Sequence, residues 1–325
     1  MLKKPSWFFV LVENDNTEKI SIGECGLLPK LSMEDKSGYV EKLNEIAKKI
    51  NTAQSIDIDF DLKKYPSIRF GMEMLKKDYK SKNKKILFES GFTGGKYQIP
   101  INGLIWMGDK RFMFEQIKTK IEEGWKCIKI KIGAIDFEEE LSLLQYIRNH
   151  FNKDDIELRV DANGAFHFKK ALENLKRLSE FDLHSIEQPI KSGQIDQMAE
   201  LCEMSPLAIA LDEELIGVND LKNKKFLLDS IKPQYIVLKP SLTGGWEASE
   251  EWIKIAKYLE IGYWVTSALE SNIGLNAIAQ WTVTLDKDII HGLGTGQIYT
   301  NNIESPLYSA KGFLSYNPQK KWGDL

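Results

Sequence analysis

Strands and helices alternate in the pattern of apolar positions from about residue 99 onward. Short runs of branched apolar residues are separated by stretches in which apolar residues recur every three or four positions, which is typical of buried strands and amphipathic helices. Gly124 and Gly262 follow two of the helical stretches, where glycine commonly ends a helix. The pattern predicts eight strands, at Ile101–Met107, Cys127–Ile132, Glu157–Asp161, Ser185–Gln188, Leu207–Asp212, Tyr235–Lys239, Tyr263–Ser267 and Ile289–Gly294.

The spacing of these strands favours a closed barrel over a doubly wound open sheet. Polar residues near the strand ends follow one another at intervals of 30, 26, 25, 27 and 28 residues. A repeat of one strand and one helix gives such regularity, whereas an open sheet has a switch point. The fold class is therefore α/β, with a (β/α)₈-type barrel. The marker residues are Lys131, Asp161, Glu187, Asp212, Lys239 and Ser267.

The first 98 residues and the last 25 have different patterns. Two β-rich runs, Trp7–Glu13 and Ile20–Cys25, precede helical spacing over Tyr39–Ile50 and a second helix that begins near Pro66. Strands followed by helices predict a small α+β domain over residues 1–98, ahead of a barrel over 99–300. The tail, 301–325, is irregular, and we expect it to return to the first domain.

Charge and cysteine content exclude several classes of protein. The 325 residues include 44 Lys and Arg against 47 Asp and Glu, a net charge of -3, whereas a nucleic-acid partner requires a basic surface. Three scattered cysteines, Cys25, Cys127 and Cys202, argue for a reducing compartment. The longest early apolar run, Trp7–Val12, is far shorter than the ~20 residues of a membrane span. We expect a soluble cytoplasmic protein with no membrane partner, its oligomeric state left open.

Charged residues interrupt strands that should be nearly all apolar. Lys129 and Lys131 alternate with isoleucines, so the period of two places both ammonium groups inside the barrel. Arg159, Asp161 and Asn163 share one face of the next strand. Taken singly, such residues have commoner structural explanations, including an edge strand for the lysines or a helix cap for an aspartate.

The order of the charges along the chain is harder to explain by capping. Lys131, Asp161, Glu187, Asp212 and Lys239 end successive strands, and catalytic groups of barrels converge at that end. Three carboxylates there repel one another unless a cation compensates, and oxygen ligands without a neighbouring cysteine or histidine favour Mg²⁺ over Zn²⁺. Lysines on both sides of such a cation suit removal of a proton next to a carboxylate.

This set of residues resembles the enolase superfamily, in its muconate-lactonizing-enzyme subgroup. The resemblance rests on Lys129-Ile-Lys131, Asp161-Ala-Asn163, Glu187, Asp212 and Lys239, and it extends from about residue 7 to about residue 300. Shorter motifs at 100–108, 267–274 and 292–296 resemble the o-succinylbenzoate synthases of menaquinone biosynthesis. The resemblance implies an N-terminal capping domain and a (β/α)₇β TIM-like barrel.

The resemblance also implies a set of roles. Mg²⁺, or Mn²⁺ in its place, would bind Asp161, Glu187 and Asp212. Lys131 would act as acid and base, and Lys239 would stabilise charge on the opposite face of the substrate. The implied lyase reaction is syn dehydration of 2-succinyl-6-hydroxy-2,4-cyclohexadiene-1-carboxylate to 2-succinylbenzoate. The supporting residues would be Lys129, Arg159 and Asn163.

Candidate substrate-binding residues follow the last two strands. Ser267, Ser271 and Asn272 could hold the substrate carboxylate at a helix N-terminus, or could simply cap that helix. Thr295 lies in a glycine cluster that either lets the backbone approach the substrate or forms a plain loop. These four residues are predicted as substrate contacts.

Other activities of the subgroup are alternatives. N-acylamino acid racemases and dipeptide epimerases also use opposed lysines, but epimerases typically carry an acidic pair where this chain reads Gly294–Tyr299 without an acid. Members of the family usually have a strand and a mobile loop before the segment that matches Trp7–Glu13. A cap without that strand is expected to expose apolar residues of Trp7–Val12, and a non-catalytic metal-binding barrel is a further alternative.

Overall fold

Two strands and two helices build the first part of the molecule. The computed structural model describes residue 3 and residues 6–13, 16–296 and 298–324. Strand β1 (Trp7–Glu13) pairs antiparallel with β2 (Asn16–Cys25), and α1 (Tyr39–Ala53) and α2 (Pro66–Lys80) follow. Pro66 opens α2 in the first turn, where its missing N–H leaves no helical bond unmade. The predicted strands and helices of this region are present.

A separate apolar core holds these four elements together. Helix α1 buries one stripe, Tyr39, Leu43, Ile46 and Ile50, against residues from β1, β2 and α2. Strand β1 is less well covered: Val10 and Val12, on the face opposite the buried Phe9, are 50% and 44% exposed, and Trp7, at the start of the strand, is 43% exposed. The expected exposure of apolar residues in this strand is therefore observed.

The second part of the chain alternates strands and helices around a curled parallel sheet. Its seven strands are hydrogen-bonded in the order β10-β9-β8-β7-β6-β5-β4. The strands are β3 (Ile99–Pro100), which lies outside that sheet, β4 (Gly103–Ile105), β5 (Cys127–Lys131), β6 (Glu157–Asp161), β7 (Ser185–Glu187), β8 (Ile209–Leu211), β9 (Tyr235–Leu238) and β10 (Gly262–Val265). The helices are α3 (Lys110–Glu122), α4 (Phe137–Arg148), α5 (Phe168–Ser179), α6 (Ile195–Met204), α7 (Leu221–Ile231), α8 (Pro240–Thr243), α9 (Gly245–Tyr258) and α10 (Asn272–Thr282).

Residues 289–294, here called the closing segment, join the two edges of this sheet. His291 donates its N–H to the Pro100 carbonyl at 2.9 Å and accepts the Asn102 N–H at 2.9 Å. On the other side, the Gly292 N–H donates to the Val265 carbonyl at 2.8 Å. The predicted eighth strand is thus reduced to isolated bridges, because the few bonds on each side are too short a ladder for a strand.

The tail contains a hairpin where the sequence pattern predicts irregular chain. Strands β11 (Leu307–Ala310) and β12 (Phe313–Tyr316) pair antiparallel, and β12 also pairs with β3. Lys311 and Gly312 form the two-residue connection with φ of 51° and 84°, the left-handed backbone that such a turn requires. Lys-Gly is a weaker turn signal than Asn-Gly, which explains why the pattern missed the hairpin.

A buried glutamate joins α2 to the barrel. The Glu73 carboxylate accepts the Trp246 N–H at 2.7 Å, at the start of α9. Gly245 makes this contact possible, since a Cβ there would lie 2.1 Å from Glu73 Oε2. Burial, with the nearby Glu247 carboxylate, raises the pKa of Glu73 to about 8.

Replacing Glu73 with Gln is expected to stabilise the protein at pH 8 and to change little at pH 5. A glutamate in the unfolded chain loses its proton near pH 4.5, whereas native Glu73 keeps it to about pH 8. Stability therefore falls as the pH rises between these values. Gln keeps the acceptor for Trp246 and removes the ionisable group. Thermal unfolding at both pH values should show a gain of roughly 2–6 °C at pH 8 only.

The exposed Glu139 on α4 provides the matched control. Its change to Gln should leave the unfolding temperature unaltered at either pH. A Glu73→Gln variant that shifts equally at pH 5 and pH 8 would contradict the argument.

Candidate active site

Charged side chains gather at the carboxyl ends of the central barrel strands. The register aligns Lys131 with Asp161 across β5 and β6, and Asp161 with Glu187 across β6 and β7. Asp212 and Lys239 directly follow β8 and β9. Because parallel strands end at one edge of a barrel, the regular sequence spacing brings all five to one place.

The lysines pair with the acids at this edge. Lys129 Nζ lies 2.8 Å from Asp161 Oδ2 and 2.5 Å from Glu187 Oε2. Lys131 Nζ lies 2.9 Å from the same Asp161 oxygen and donates to Asn163 Oδ1 at 2.7 Å. Lys239 donates to the Asp212 carboxylate. The acids are almost completely buried, so each ammonium group compensates a charge that water does not reach.

Mutual electrostatics move the pKa values of these groups in opposite directions. Burial alone would raise the pKa of Asp161, but Lys129 and Lys131 outweigh it and hold that pKa well below its usual range. Burial, together with the Asp161 charge, raises the pKa of Glu187 to about 8. Burial alone would lower the pKa of Lys239, but Asp212 and Glu187 outweigh it and raise that pKa. Asp161 and Glu187 likewise outweigh the effect of burial on Lys129 and raise its pKa.

A cavity of about 160 Å³ opens over these charges. Leu28 and Leu31, from the first part of the chain, help to enclose it. A second cavity of about 710 Å³ lies next to it and shares several of its lining residues. The polar residues that line the smaller cavity are Asn102, Lys129, Lys131, Asp161, Asn163, Glu213, Lys239, Thr266, Ser267 and Thr295.

The predicted substrate contacts divide into two pairs. Ser267 and Thr295 line the cavity, and the Thr295 hydroxyl is buried without a hydrogen-bond partner among the described residues. Ser271 instead caps α10 and donates its hydroxyl to Glu24 at 2.6 Å. The Asn272 side chain donates to the Ile303 carbonyl at 2.5 Å. Neither Ser271 nor Asn272 is among the residues that line the cavity. Ser271 therefore acts as a helix cap, which was the alternative explanation.

Two of the other candidates also have defined partners. Arg159 does not line the cavity; it donates to Glu157 at 2.7 Å and to the Ile290 carbonyl of the closing segment at 3.0 Å. It therefore supports the barrel closure. The Asp212 side chain makes no capping bond to the 3₁₀ turn that follows it, so the capping alternative is not observed there.

Sequence reasoning missed three polar residues of the cavity, Asn102, Glu213 and Thr266, the last of which donates its hydroxyl to the Gly292 carbonyl at 2.7 Å. Glu213 accepts the Asn163 amide at 2.9 Å, and its position directly after Asp212 was the available signal. Asn102 lies in the segment 100–108, and its Oδ1 is buried without a partner among the described residues. Leu28 and Leu31 could not be placed from the pattern, because only the packing of the two parts brings them to the cavity.

The donor set at the strand ends suits a divalent cation. Glu187 Oε1 is buried without a hydrogen-bond partner among the described residues, and the three acids provide only hard oxygen donors. Their separation is a counter-observation: no three His, Cys, Asp or Glu side chains of the described chain converge closely enough to hold a metal. Instead, the lysines form ion pairs with the acids. The chemistry of the acids fits a cation, and binding would require the acids to exchange their lysine partners for that cation.

Comparison with known proteins defines the class. The family model described as "Enolase C-terminal domain-like" matches residues 113–316. This range includes all three acids and all three lysines of the site. The chain belongs to the enolase superfamily, whose enzymes generally use a divalent metal ion. The predicted α/β barrel fold and the predicted superfamily are confirmed.

Within this family, the similarity to o-succinylbenzoate synthases extends over nearly the whole chain. The o-succinylbenzoate synthase of Desulfotalea psychrophila is 44% identical over 97% of this chain and 92% of its own. The crystal structure of MenC from Desulfotalea psychrophila matches with a TM-score of 0.85 and 43% identity, covering 96% of this chain and 94% of that one.

A more distant structure shares the fold. Muconate lactonizing enzyme from Pseudomonas putida is 21% identical, with a TM-score of 0.74 over 95% of this chain and 88% of its own.

No helix in the described part of the chain is both long and apolar enough to cross a membrane.

Replacing Lys129 with Met should destabilise the metal-free protein by about 3–5 kcal/mol, the usual result of removing one partner from a buried ion pair. The change leaves Glu187 without its ammonium partner and Asp161 with one fewer. Urea unfolding in the presence of EDTA measures the loss. The exposed Lys126, which directly precedes β5, is the control, and Lys126→Met should have little effect. Equal losses of unfolding free energy in the two variants would show that the ion pairs of Lys129 do not stabilise the protein.

Proposed function

We propose that this chain is an o-succinylbenzoate synthase, a lyase that dehydrates 2-succinyl-6-hydroxy-2,4-cyclohexadiene-1-carboxylate to 2-succinylbenzoate. The observation that carries the proposal is one cavity lined by Lys131, Lys239 and Asp161 in a chain 44% identical to such a synthase. The similarity to this synthase over nearly the whole chain confirms the activity predicted from the sequence. The assignment of roles to individual residues is our proposal.

Asp161, Glu187 and Asp212 would hold Mg²⁺, with Mn²⁺ as a substitute. When bound, the cation would stabilise the negative charge that develops on the substrate carboxylate as the neighbouring proton is removed. Support comes from the oxygen-only donor set and from the unpartnered buried oxygen of Glu187.

Lys131 would move the proton. Its Nζ is held between Asp161 and Asn163, at 2.9 and 2.7 Å, and it lines the cavity. In its neutral form the amine takes the proton from the ring carbon that carries the carboxylate, and the ammonium then gives a proton to the departing hydroxyl. One residue can do both because the two groups leave one face of the ring. Water is released, and the ring becomes aromatic.

Lys239 and Lys129 would act by charge. Lys239 lines the same cavity from the end of β9, four strands away from β5 in the sheet order, so its ammonium can stabilise charge on the other side of the substrate. Lys129 bonds two acids at once and would keep them in place. Asn163 would orient Lys131 through its amide oxygen.

Ser267 and Thr295 line the cavity and would contact the substrate, Thr295 through the hydroxyl that has no partner among the described residues and Ser267 next to the Glu270 carboxylate, to which its hydroxyl donates at 2.6 Å. The succinyl chain would extend into the neighbouring cavity of about 710 Å³. Residues 1–98 would serve as the cap, 99–300 as the barrel and 301–325 as a tail. A cytoplasmic location is proposed because the three cysteines are unpaired thiols, as in a reducing compartment.

Turnover should depend on a divalent metal. Treatment of the full-length chain with EDTA should abolish conversion of the cyclohexadiene substrate, and Mg²⁺ or Mn²⁺ should restore it. Formation of 2-succinylbenzoate, followed by absorbance, measures the rate. Asp161→Asn, Glu187→Gln and Asp212→Asn should each require more metal for half-maximal rate. Full activity of metal-free protein would refute the proposed metal site.

Hydrogen exchange separates the two cavity lysines. Both Lys131→Ala and Lys239→Ala should reduce kcat by roughly 10²–10⁴-fold, so the size of the loss does not assign the roles. In D₂O, NMR of a slow substrate analogue should show exchange at the acidic carbon with Lys239→Arg and none with Lys131→Arg. The reverse pattern would reverse the roles. Loss of exchange in both variants would favour a two-base, racemase-like site.

A further inference from the structure

Gln188 contacts every loop that carries one of the three acids, although it does not line the cavity. It directly follows Glu187 at the end of β7 and is fully buried. We propose that Gln188 is a positioning residue that sets the separation of Asp161, Glu187 and Asp212 for cation binding. The inference rests on the metal site of the proposed function.

The side-chain amide joins β7 to the loop after β8. Gln188 Oε1 accepts the Asp212 N–H at 3.1 Å and the Glu214 N–H at 3.3 Å. Its Nε2 donates to Glu214 Oε2 at 3.1 Å and to the Ile190 carbonyl at 3.0 Å. All four hydrogen-bonding positions of the amide are thus used, which fixes its orientation. The backbone of Asp212 is therefore held at a set distance from that of Glu187.

The main chain of Gln188 joins the third loop. Its carbonyl accepts the Gly164 N–H at 2.7 Å, and Gly164 follows Asp161 by three residues. Its own N–H donates to the Ala210 carbonyl at 2.9 Å. Gln188 has φ of 40°, a left-handed conformation that is unfavourable for a non-glycine residue. The surrounding bonds hold this strained backbone in place.

Such a frame is needed because the acids are paired with lysines in the absence of a cation and must keep their positions when they exchange these partners for the cation. Residues around a metal site keep its ligands in position, and their loss commonly weakens metal affinity by about 10–100-fold. Gln188 is suited to this role because its bonds reach the backbone on both sides of Glu187. Its neutral amide supplies donors and acceptors without adding charge.

The test is Mn²⁺ binding by the substrate-free full-length chain, followed by electron paramagnetic resonance. Gln188→Glu keeps an acceptor for Asp212 but directs a second carboxylate at Glu214, and it should weaken Mn²⁺ binding by about 10–100-fold. The double variant Gln188→Glu/Glu214→Gln restores a donor opposite an acceptor and should recover most of the affinity. Gln188→Asn, which is neutral but too short to reach both N–H groups, should also bind weakly.

Gln234, which is exposed, offers a control with the same kind of hydrogen bond at the other end of β8. Its Oε1 accepts the Ile209 N–H at 2.8 Å, at the start of β8. Gln234→Glu should leave Mn²⁺ affinity within twofold of wild type, and thermal unfolding in EDTA reports the structural cost of each variant separately.

Wild-type affinity in Gln188→Asn and Gln188→Glu would overturn the positioning role, as would an equal loss in Gln234→Glu or no recovery in the double variant. A wild-type chain that binds no Mn²⁺ would instead overturn the metal site itself, and this inference with it. The synthase reaction is not part of the measurement, so a failure here is distinguishable from a wrong substrate.

Discussion

The compensation of three buried acids by three lysines is the interaction on which the rest of the barrel edge depends. Moving an unpaired ion into a protein interior costs several kcal/mol, and removing one partner of a buried pair is strongly destabilising. Lys129 and Lys131 share Asp161, and Lys129 also reaches Glu187. A one-residue slip of β5 would turn both lysines to the outer face of the sheet. Charge compensation therefore fixes the register of β5 against β6 and β7.

The same pairing explains how an apolar barrel tolerates charges at its centre. Isoleucines on β5 face the surrounding helices and are buried, while the lysines between them face inward. The ammonium groups also line the cavity, where we propose that they act on the substrate. Under this proposal, the same residues meet the energetic requirement of folding and the chemical requirement of the site.

Much of the fold and the centre of the site could be predicted because both depend on short-range periodicity. The alternation of Lys129 and Lys131 with isoleucines predicted that both lysine side chains point into the barrel. The even spacing of Asp161, Glu187 and Asp212 predicted that they lie at one edge of the barrel. Ser271 was predicted to contact the substrate, but it binds the Glu24 carboxylate instead. A serine after a strand has the same local sequence pattern in both cases. Its partner, Glu24, lies 247 positions away in the sequence, and no local pattern carries such a contact.

The closing segment has a consequence for the motion of the barrel. Elsewhere neighbouring strands share ladders, but residues 289–294 are joined to each neighbour by only a few backbone bonds. Local opening follows the places with the fewest such bonds. The amides of Asn102, His291 and Gly292 should exchange with solvent faster than those of β5 and β6. Since Asn102 and Gly292 also line the cavity, opening of these bonds would widen the barrel beside the cavity and leave the bonds between β5 and β6 intact.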